Sequence, residues 1–379
     1  SKEKFSIKYF LNFEAAETNK FNKVIFNEEL INHNKKIKNI SGQIHVKKNL
    51  IFNDPVEINP GTKFLISEGS HIIFKNKVIA NGTNENPIIF QRDNKSNKPW
   101  GSISIIGKET NNSKLSNIII DGGSGGYFKQ INFTSMLSLH KPKNIFIKNL
   151  KLINHSKYDD MMHVIYCDNI TIDNAEFVNA PADAIDVDIS TNVKIRNSKF
   201  INSKNDAIDF MESEALVDSS FIFGSKDKGL SIGESSNILL YNSLLEKNNI
   251  GIAVKDKSKA KVLHVGLKDN KIQLSAYRKN WQYGGGGSAG IYRSQISAEK
   301  NLFEVSKESK LEINDTSIIG INLMDKKNII LKDVDFYKDS DQELNKKNQF
   351  FIKDLELIHP LYSKIQEIKN KNRGYDFKN

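Results

Sequence analysis

The chain has a single cysteine, Cys167, and only seven prolines in 379 residues. A lone thiol excludes an internal disulfide framework and provides no metal-ligand spacing, so Cys167 reads as an inert buried thiol. No apolar run is long enough to cross a bilayer as a helix. Apolar residues make up only 38 % of the chain, so any core has to be shared among short segments. No DNA- or RNA-binding motif accompanies the net charge of +10. Lys and Asn are abundant throughout, which leaves two readings of that charge open: an acidic polymer as partner, or a biased base composition. The chain opens at Ser1 with neither Met nor a signal peptide, which points to a piece of a longer polypeptide.

What the chain does have is a repeat. The segments "DMMHVIYCDN", "DAIDVDISTN", "DAIDFMESEA", "KGLSIGESSN" and "IGIAVKDKSK" return every 22 or 23 residues. Aligned, they give one column of Asp160, Asp183, Asp206, Lys228 and Ile250. A second runs His163, Asp186, Asp209, Ser231, Ala253, and a third runs Ile165, Asp188, Met211, Gly233, Lys255, Tyr277. Acids and bases therefore stack on one face.

Between these segments, apolar and polar residues alternate, as in "NITIDNAEFVN" (169 to 179) and "NVKIRNSKFIN" (192 to 202). Period two means strands with one buried face. Asn149, Asn174 and Asn197 mark one bend and Asn154, Asn179 and Asn202 the next, where Asn tolerates a left-handed backbone and bonds to its copies in neighbouring coils. Three short strands in about 22 residues make one coil of a parallel β-helix; leucine-rich, propeller and helical repeats need other consensus sequences or periods. The reading is an all-β solenoid with coils over 42–336. Residues 1–41 are read as an N-terminal cap. Residues 337–379 are read as a C-terminal cap, in which "LYSKIQEIKNKN" has the pattern of an amphipathic helix.

The acidic columns locate the chemistry. Carboxylates about 5 Å apart repel by roughly 3 kcal/mol at an effective dielectric near 20. Asp160, Asp183 and Asp206 must therefore share a proton, be compensated by Lys228 and Lys255, or bind a cation such as calcium, with Asp160, Asp183, Asp188 and Asp206 as metal ligands. Capping of turns is the competing explanation for the first column. It does not cover Asp186, Asp188 and Asp209, which sit inside strands, where Asp is disfavoured. Asp183, Asp186, Asp206, Asp209, Lys228 and Lys255 are the catalytic candidates. A lysine serves as a base only if its pKa is lowered, and the neighbouring carboxylates oppose that.

At the rim, "SAYRKNWQYGGGGS" (275 to 288) gathers Tyr277, Arg278, Lys279, Trp281 and Tyr283, a set suited to sugar stacking and carboxylate recognition. The alternative for Trp281 is packing under a loop. Gly284 to Gly287 lack the Lys-Ser/Thr ending of a phosphate loop and read as a flexible loop. His163 joins the substrate-binding set through its alignment with Asp186 and Asp209, and Trp100 reads as packing at an early coil.

The rungs resemble the right-handed parallel β-helix of the pectate-lyase-like superfamily. Within that likeness, "PADAIDVD", "KNDAIDF", "DKGLSIGES" and "NIGIAVK" are similar in order and spacing to the motifs of polygalacturonases. The resemblance implies catalytic-type aspartates at Asp183 and Asp206 and a substrate-carboxylate lysine at Lys255. Asn205, Lys228 and Ala253 depart from it, standing where that family has an acidic residue, His and Arg. "DDMMHV", "NDAID", "DKGLSIGE" and "AYRKNWQYG" also resemble β-helix regions of bacterial surface proteins that carry a CotH-type kinase-like domain upstream. These likenesses imply an extracytoplasmic protein whose partner is an acidic polysaccharide, with no nucleic acid and no transmembrane segment. Two functions fit: an enzyme that cleaves or epimerises a uronate polymer, or a non-catalytic glycan-binding or structural module.

Overall fold

The computed structural model describes residues 37–93, 98–297, 301–319 and 328–337. Alternation dictates which way each strand faces. Ile185 and Val187 are fully buried while Asp186 and Asp188 between and after them are not, and the next coil repeats this with Ile208 and Phe210 against Asp209 and Met211.

Each strand pairs in parallel with its copy one coil later. Along the acidic face Met162 lies beside Ile185, Ile185 beside Ile208, Ile208 beside Leu230, Leu230 beside Ile252 and Ile252 beside Leu274. Eleven described strands, from Leu50–Phe52 to Asn301–Val305, make this face. All but two of the other described strands form a larger sheet that takes two short strands from many coils, such as Thr191–Arg196 and Lys199–Ile201. The first described strand, Lys38–Ile40, already pairs with Val56–Ile58, and the last is Ile329–Tyr337. The expected helix over "LYSKIQEIKNKN" and most of the N-terminal cap lie outside the described residues. Among the described residues there is no α-helix, only two short 3-10 turns.

One apolar column fills the interior. Phe177 stacks on Phe200 with ring centroids 4.8 Å apart and ring planes 9° apart, which is the strand spacing of a sheet. Each such fully buried side chain stabilises the coil by about 1.5–3 kcal/mol. The corners are left-handed, and on the larger sheet between residues 169 and 202 they are asparagines: Asn169, Asn174, Asn179, Asn192, Asn197 and Asn202 all have φ between 50 and 59°. Their amides form ladders, with Asn174 Nδ2 donating to Asn149 Oδ1 at 2.7 Å and Asn192 Nδ2 to Asn169 Oδ1 at 3.0 Å. A second ladder is internal. Ser190, Ser213 and Ser236 each donate their backbone N–H to the hydroxyl of the next serine at 3.0 to 3.1 Å, and Cys167 N–H donates to Ser190 Oγ at 2.9 Å. Cys167 thus caps a serine column, and burial pushes its thiol up to about 12.

One interruption matters for the site. An antiparallel hairpin of Gly126–Phe128 with Ile131–Phe133 is inserted just before strand Ser135–His140, and it delivers Thr134 to the edge of the acidic face. Trp100 packs at an early coil as expected, fully buried with its indole N–H donating to the Asp121 carbonyl at 2.8 Å.

Candidate functional site on the acidic sheet face

The columns aligned in the sequence are neighbours in space. His163, Asp186, Asp209, Ser231 and Ala253 pair in succession across the face, as do Ile165, Asp188, Met211 and Gly233. Lys255 pairs with Tyr277 further along.

The aspartates of the first column are buried, and two of them turn their carboxylates to the backbone. Asp183 Oδ1 accepts the Asp206 N–H at 2.7 Å, and Asp206 Oδ1 accepts the Lys228 N–H at 2.9 Å. Each aspartate thus ties its coil to the next. Burial, reinforced by the charge of Asp206, pushes Asp183 up to about 7. Burial and Asp209 push Asp206 up to about 6, against the opposing pull of Lys228. Asp160, only 2 % exposed, is raised well above the carboxylate range, chiefly by burial.

The second and third columns hold a different arrangement. His163 lies between two partners: Nδ1 meets Thr134 Oγ1 at 3.2 Å and Nε2 meets Asp188 Oδ2 at 3.1 Å. Thr134 Oγ1 is also 2.8 Å from Asp160 Oδ2. An arrangement with one ring hydrogen satisfies this chain: protonated Asp160, the form its raised pKa favours, donates its O–H to Thr134, Thr134 donates to Nδ1, and Nε2–H donates to Asp188 Oδ2. Asp186 lies on the same strand and is pushed up to about 10 by burial and then by the charge on Asp188. Asp186 is therefore held neutral beside Asp188, whose Oδ2 the imidazole contacts.

The cations lie toward the other end of the face and are already paired. Lys228 Nζ contacts Asp227 Oδ2 and lies 3.3 Å from Asp206 Oδ1. Burial alone would lower its pKa, but these two carboxylates outweigh burial and raise it. The condition set for a lysine base, a lowered pKa, is not met at Lys228, whose neighbouring carboxylates favour the charged form. Lys255 is 2 % exposed, with Nζ donating to Ser231 Oγ at 2.8 Å and lying 3.9 Å from Asp209 Oδ1. Tyr277 is half-buried beside both lysines, and burial raises its phenol.

The rim residues disperse. Arg278 pairs with Glu308 at 3.0 Å. Lys279 and Asn280 donate their backbone N–H groups to the buried Asp256 Oδ1 at 2.7 and 2.8 Å. Trp281 does not pack under the loop; it is 84 % exposed. Tyr283 reaches back along the rim, its hydroxyl donating to Glu212 Oε1 at 3.3 Å. The glycine run is packed rather than loose. Gly286 N–H donates to the Glu308 carbonyl at 3.1 Å, and a Cβ at Gly287 would collide with the backbone of Val254.

For a cation, the four aspartates expected as ligands divide. Asp160 and Asp183 group with Asp159, and Asp188 groups with His163 and Asp186. Asp206 joins neither group and is engaged by Lys228. The first group offers oxygen only and suits a hard ion such as calcium, whereas the second includes a nitrogen. The sequence alignment missed Thr134, Asp227, Glu212 and Asp256. Thr134 sits one residue before Ser135, the partner of Asp160, but the inserted hairpin hides it from a 23-residue step.

The family description "Right handed beta helix region" matches residues 135–303. The chain carries a right-handed β-helix. The matched part of the β-helix includes every coil that contributes His163, Asp186, Asp188, Lys228, Lys255 and Tyr277. No curated protein matches the chain. Among solved structures it is similar to the A-module of a mannuronan C-5 epimerase from Azotobacter vinelandii, at 12 % identity and a TM-score of 0.45 over 79 % of this chain and 88 % of that one. A variant of the periplasmic alginate epimerase AlgG gives 12 % and 0.44 over 79 % and 78 %. The surface adhesin PfbA of Streptococcus pneumoniae gives 15 % and 0.42 over 75 % and 82 %.

Proposed function

We propose that the β-helix is a carbohydrate-active enzyme that removes the C5 proton of a uronate unit in an acidic polysaccharide, leading to epimerisation or β-elimination. The observation that carries this reading is the Asp186/Asp188 pair beside His163. Two carboxyl groups on one strand have different surroundings, Asp186 raised by burial and Asp188 in contact with His163 Nε2, and unlike surroundings are how an acid and a base are made from like residues. Asp188, in contact with His163 Nε2, is the base; the enolate it leaves either takes a solvent proton at C5 on the opposite face, which epimerises it, or expels the C4 oxygen, which solvent protonates as the C4–C5 double bond forms. Neutral Asp186 donates a hydrogen bond to the substrate carboxylate as negative charge develops there. Ligand atoms of the two lie within 4.8 Å of each other and of His163. Inverting hydrolysis needs about 6.5–9.5 Å between its carboxyls to admit water, so this pair argues against the inverting route. On this reading Asp183 and Asp206 hold the coils, Lys228, Lys255 and Asp209 set the field of the site, and the setting is extracytoplasmic, where such polymers occur. The grouped acids leave room for calcium at Asp159, Asp160 and Asp183 as a structural ion.

A second reading, a non-catalytic glycan-binding module, is favoured by one observation: Lys228 and Lys255 are paired within the protein, so neither is free to take a substrate carboxylate.

The test is incubation with acidic polysaccharides in D2O, with and without calcium, following deuterium at C5 by NMR, ultraviolet absorbance of unsaturated uronates, and new reducing ends. Exchange alone identifies an epimerase, and exchange with absorbance a lyase. New reducing ends without exchange would replace this mechanism with hydrolysis, and silence on every polymer would leave the binding module. Asp188→Asn is expected to lower exchange by about 10²–10⁴-fold with the fold intact.

A further inference from the structure

The corner beside the acidic face is left-handed in successive coils at Lys141, Tyr166, Ile189 and Glu212, with no asparagine among them. Between residues 160 and 205 eight non-glycine residues have a left-handed φ, and six of them are asparagines on the larger sheet. The other two are Tyr166 (φ 56°) and Ile189 (φ 45°), which directly follow the strands that end in Ile165 and Asp188. Non-glycine residues pay for this conformation, and a β-branched side chain pays most. Asparagine would relieve it, as it does at every other left-handed corner of the same two coils. Both side chains present apolar surface to solvent: Tyr166 is 51 % exposed and Ile189 is 37 % exposed. They occupy successive coils, with Tyr166 N–H donating to the Asp188 carbonyl at 3.1 Å, so they stand about 4.8 Å apart. In the preceding coil the same corner is Lys141, φ 71°, with its ammonium 5.8 Å from the centre of the Tyr166 ring.

We propose that Tyr166 and Ile189 form a shelf that binds one uronate ring of the polysaccharide by its CH face, with Lys141 beside it to meet the ring's carboxylate. The shelf rests on the proposed reading of the site for its ligand class, since it continues directly from Asp188. The occupant is a ring with one apolar face and one anionic group. The aromatic and aliphatic surfaces match the first, and the exposed ammonium matches the second. A polymer lying along the face would seat one ring on the shelf and present another to Asp186 and Asp188.

The test uses the whole chain and hexasaccharides of mannuronate, guluronate and galacturonate, measuring affinity by calorimetry and Tm by scanning. Tyr166→Ala is expected to weaken the best-bound hexasaccharide about tenfold. Ile189→Asn is expected to weaken it similarly while raising Tm by about 2–5 °C, because the strain is relieved. Opposite movements of affinity and stability are what a merely structural corner would not give. Unchanged affinity in both variants, or a fall in Tm for Ile189→Asn, overturns the shelf. Binding by the parent that both variants weaken, without any C5 exchange, keeps the shelf and removes only the chemistry. Failure of the parent to bind any of the three overturns both.

Discussion

At the residue scale, the buried aspartates make the protein's stability depend on pH in an unusual direction. An aspartate in an unfolded chain titrates near 3.9, whereas folded Asp183 titrates at about 7, chiefly because it is buried. Between those values the folded state binds the proton more tightly. The stability linked to this proton is therefore complete below about pH 4 and is lost as pH rises through 7. Asp206, at about 6, acts in the same direction over a narrower span. Asp183→Asn removes the ionisation yet keeps an oxygen to accept the Asp206 N–H. The variant should match the parent near pH 4 and exceed it at pH 8, by up to about 4 kcal/mol. Urea unfolding at the two pH values in the presence of a chelator, which keeps any cation off Asp159, Asp160 and Asp183, measures this, and a difference independent of pH would mean that Asp183 is ionised throughout.

At the element scale, the coils are joined by ladders whose members are interchangeable only where the hydrogen-bonding atom is kept. Cys167 takes the first place in a column continued by Ser190, Ser213 and Ser236, and its own N–H is satisfied by Ser190 Oγ. Cys167→Ser should therefore change stability by less than about 1 kcal/mol. Ser213→Ala leaves the buried Ser190 N–H without an acceptor and should cost about 1–3 kcal/mol. Equal costs in denaturant titrations would show that the column is packing rather than hydrogen bonding. The asparagine corners were legible in the sequence because the left-handed turn imposes a residue type, and the columns were legible because parallel pairing preserves the repeat length. Other features were not. Whether Asp183 turns its carboxylate to solvent or to the next coil depends on a side-chain rotation that no spacing encodes. Thr134 was concealed by the hairpin that breaks the step, and Arg278 found Glu308 rather than the acidic face. Tyr166 and Ile189 were hidden by their own plainness, since a Tyr or an Ile in a strand-rich repeat reads as ordinary until its φ is known.

At the scale of the whole molecule, a chain with a net charge of +10 presents a face of stacked carboxyls. An acidic polymer is drawn to the molecule as a whole and repelled by that face to the extent that the face is ionised. Burial decides the extent: Asp186 stays protonated through neutral pH, while Asp183 and Asp206 lose their protons at about 7 and about 6. A polyuronate remains fully ionised over this range, so only the protein's side of the interaction changes. Affinity for the polymer should rise as pH falls from 8 to 5.5, by about three- to tenfold for two charges partly screened by salt. The combined change Asp183→Asn and Asp206→Asn should flatten that dependence and raise affinity at pH 8 toward the parent's value at pH 5.5. Affinity measured at both pH values and at two salt concentrations separates the effect from general attraction, which weakens with salt at either pH. An affinity that instead grows with pH would mean that the ionised carboxylates receive the ligand through a bound cation, and adding calcium or a chelator at pH 8 would then move the affinity of the parent but not that of the double variant.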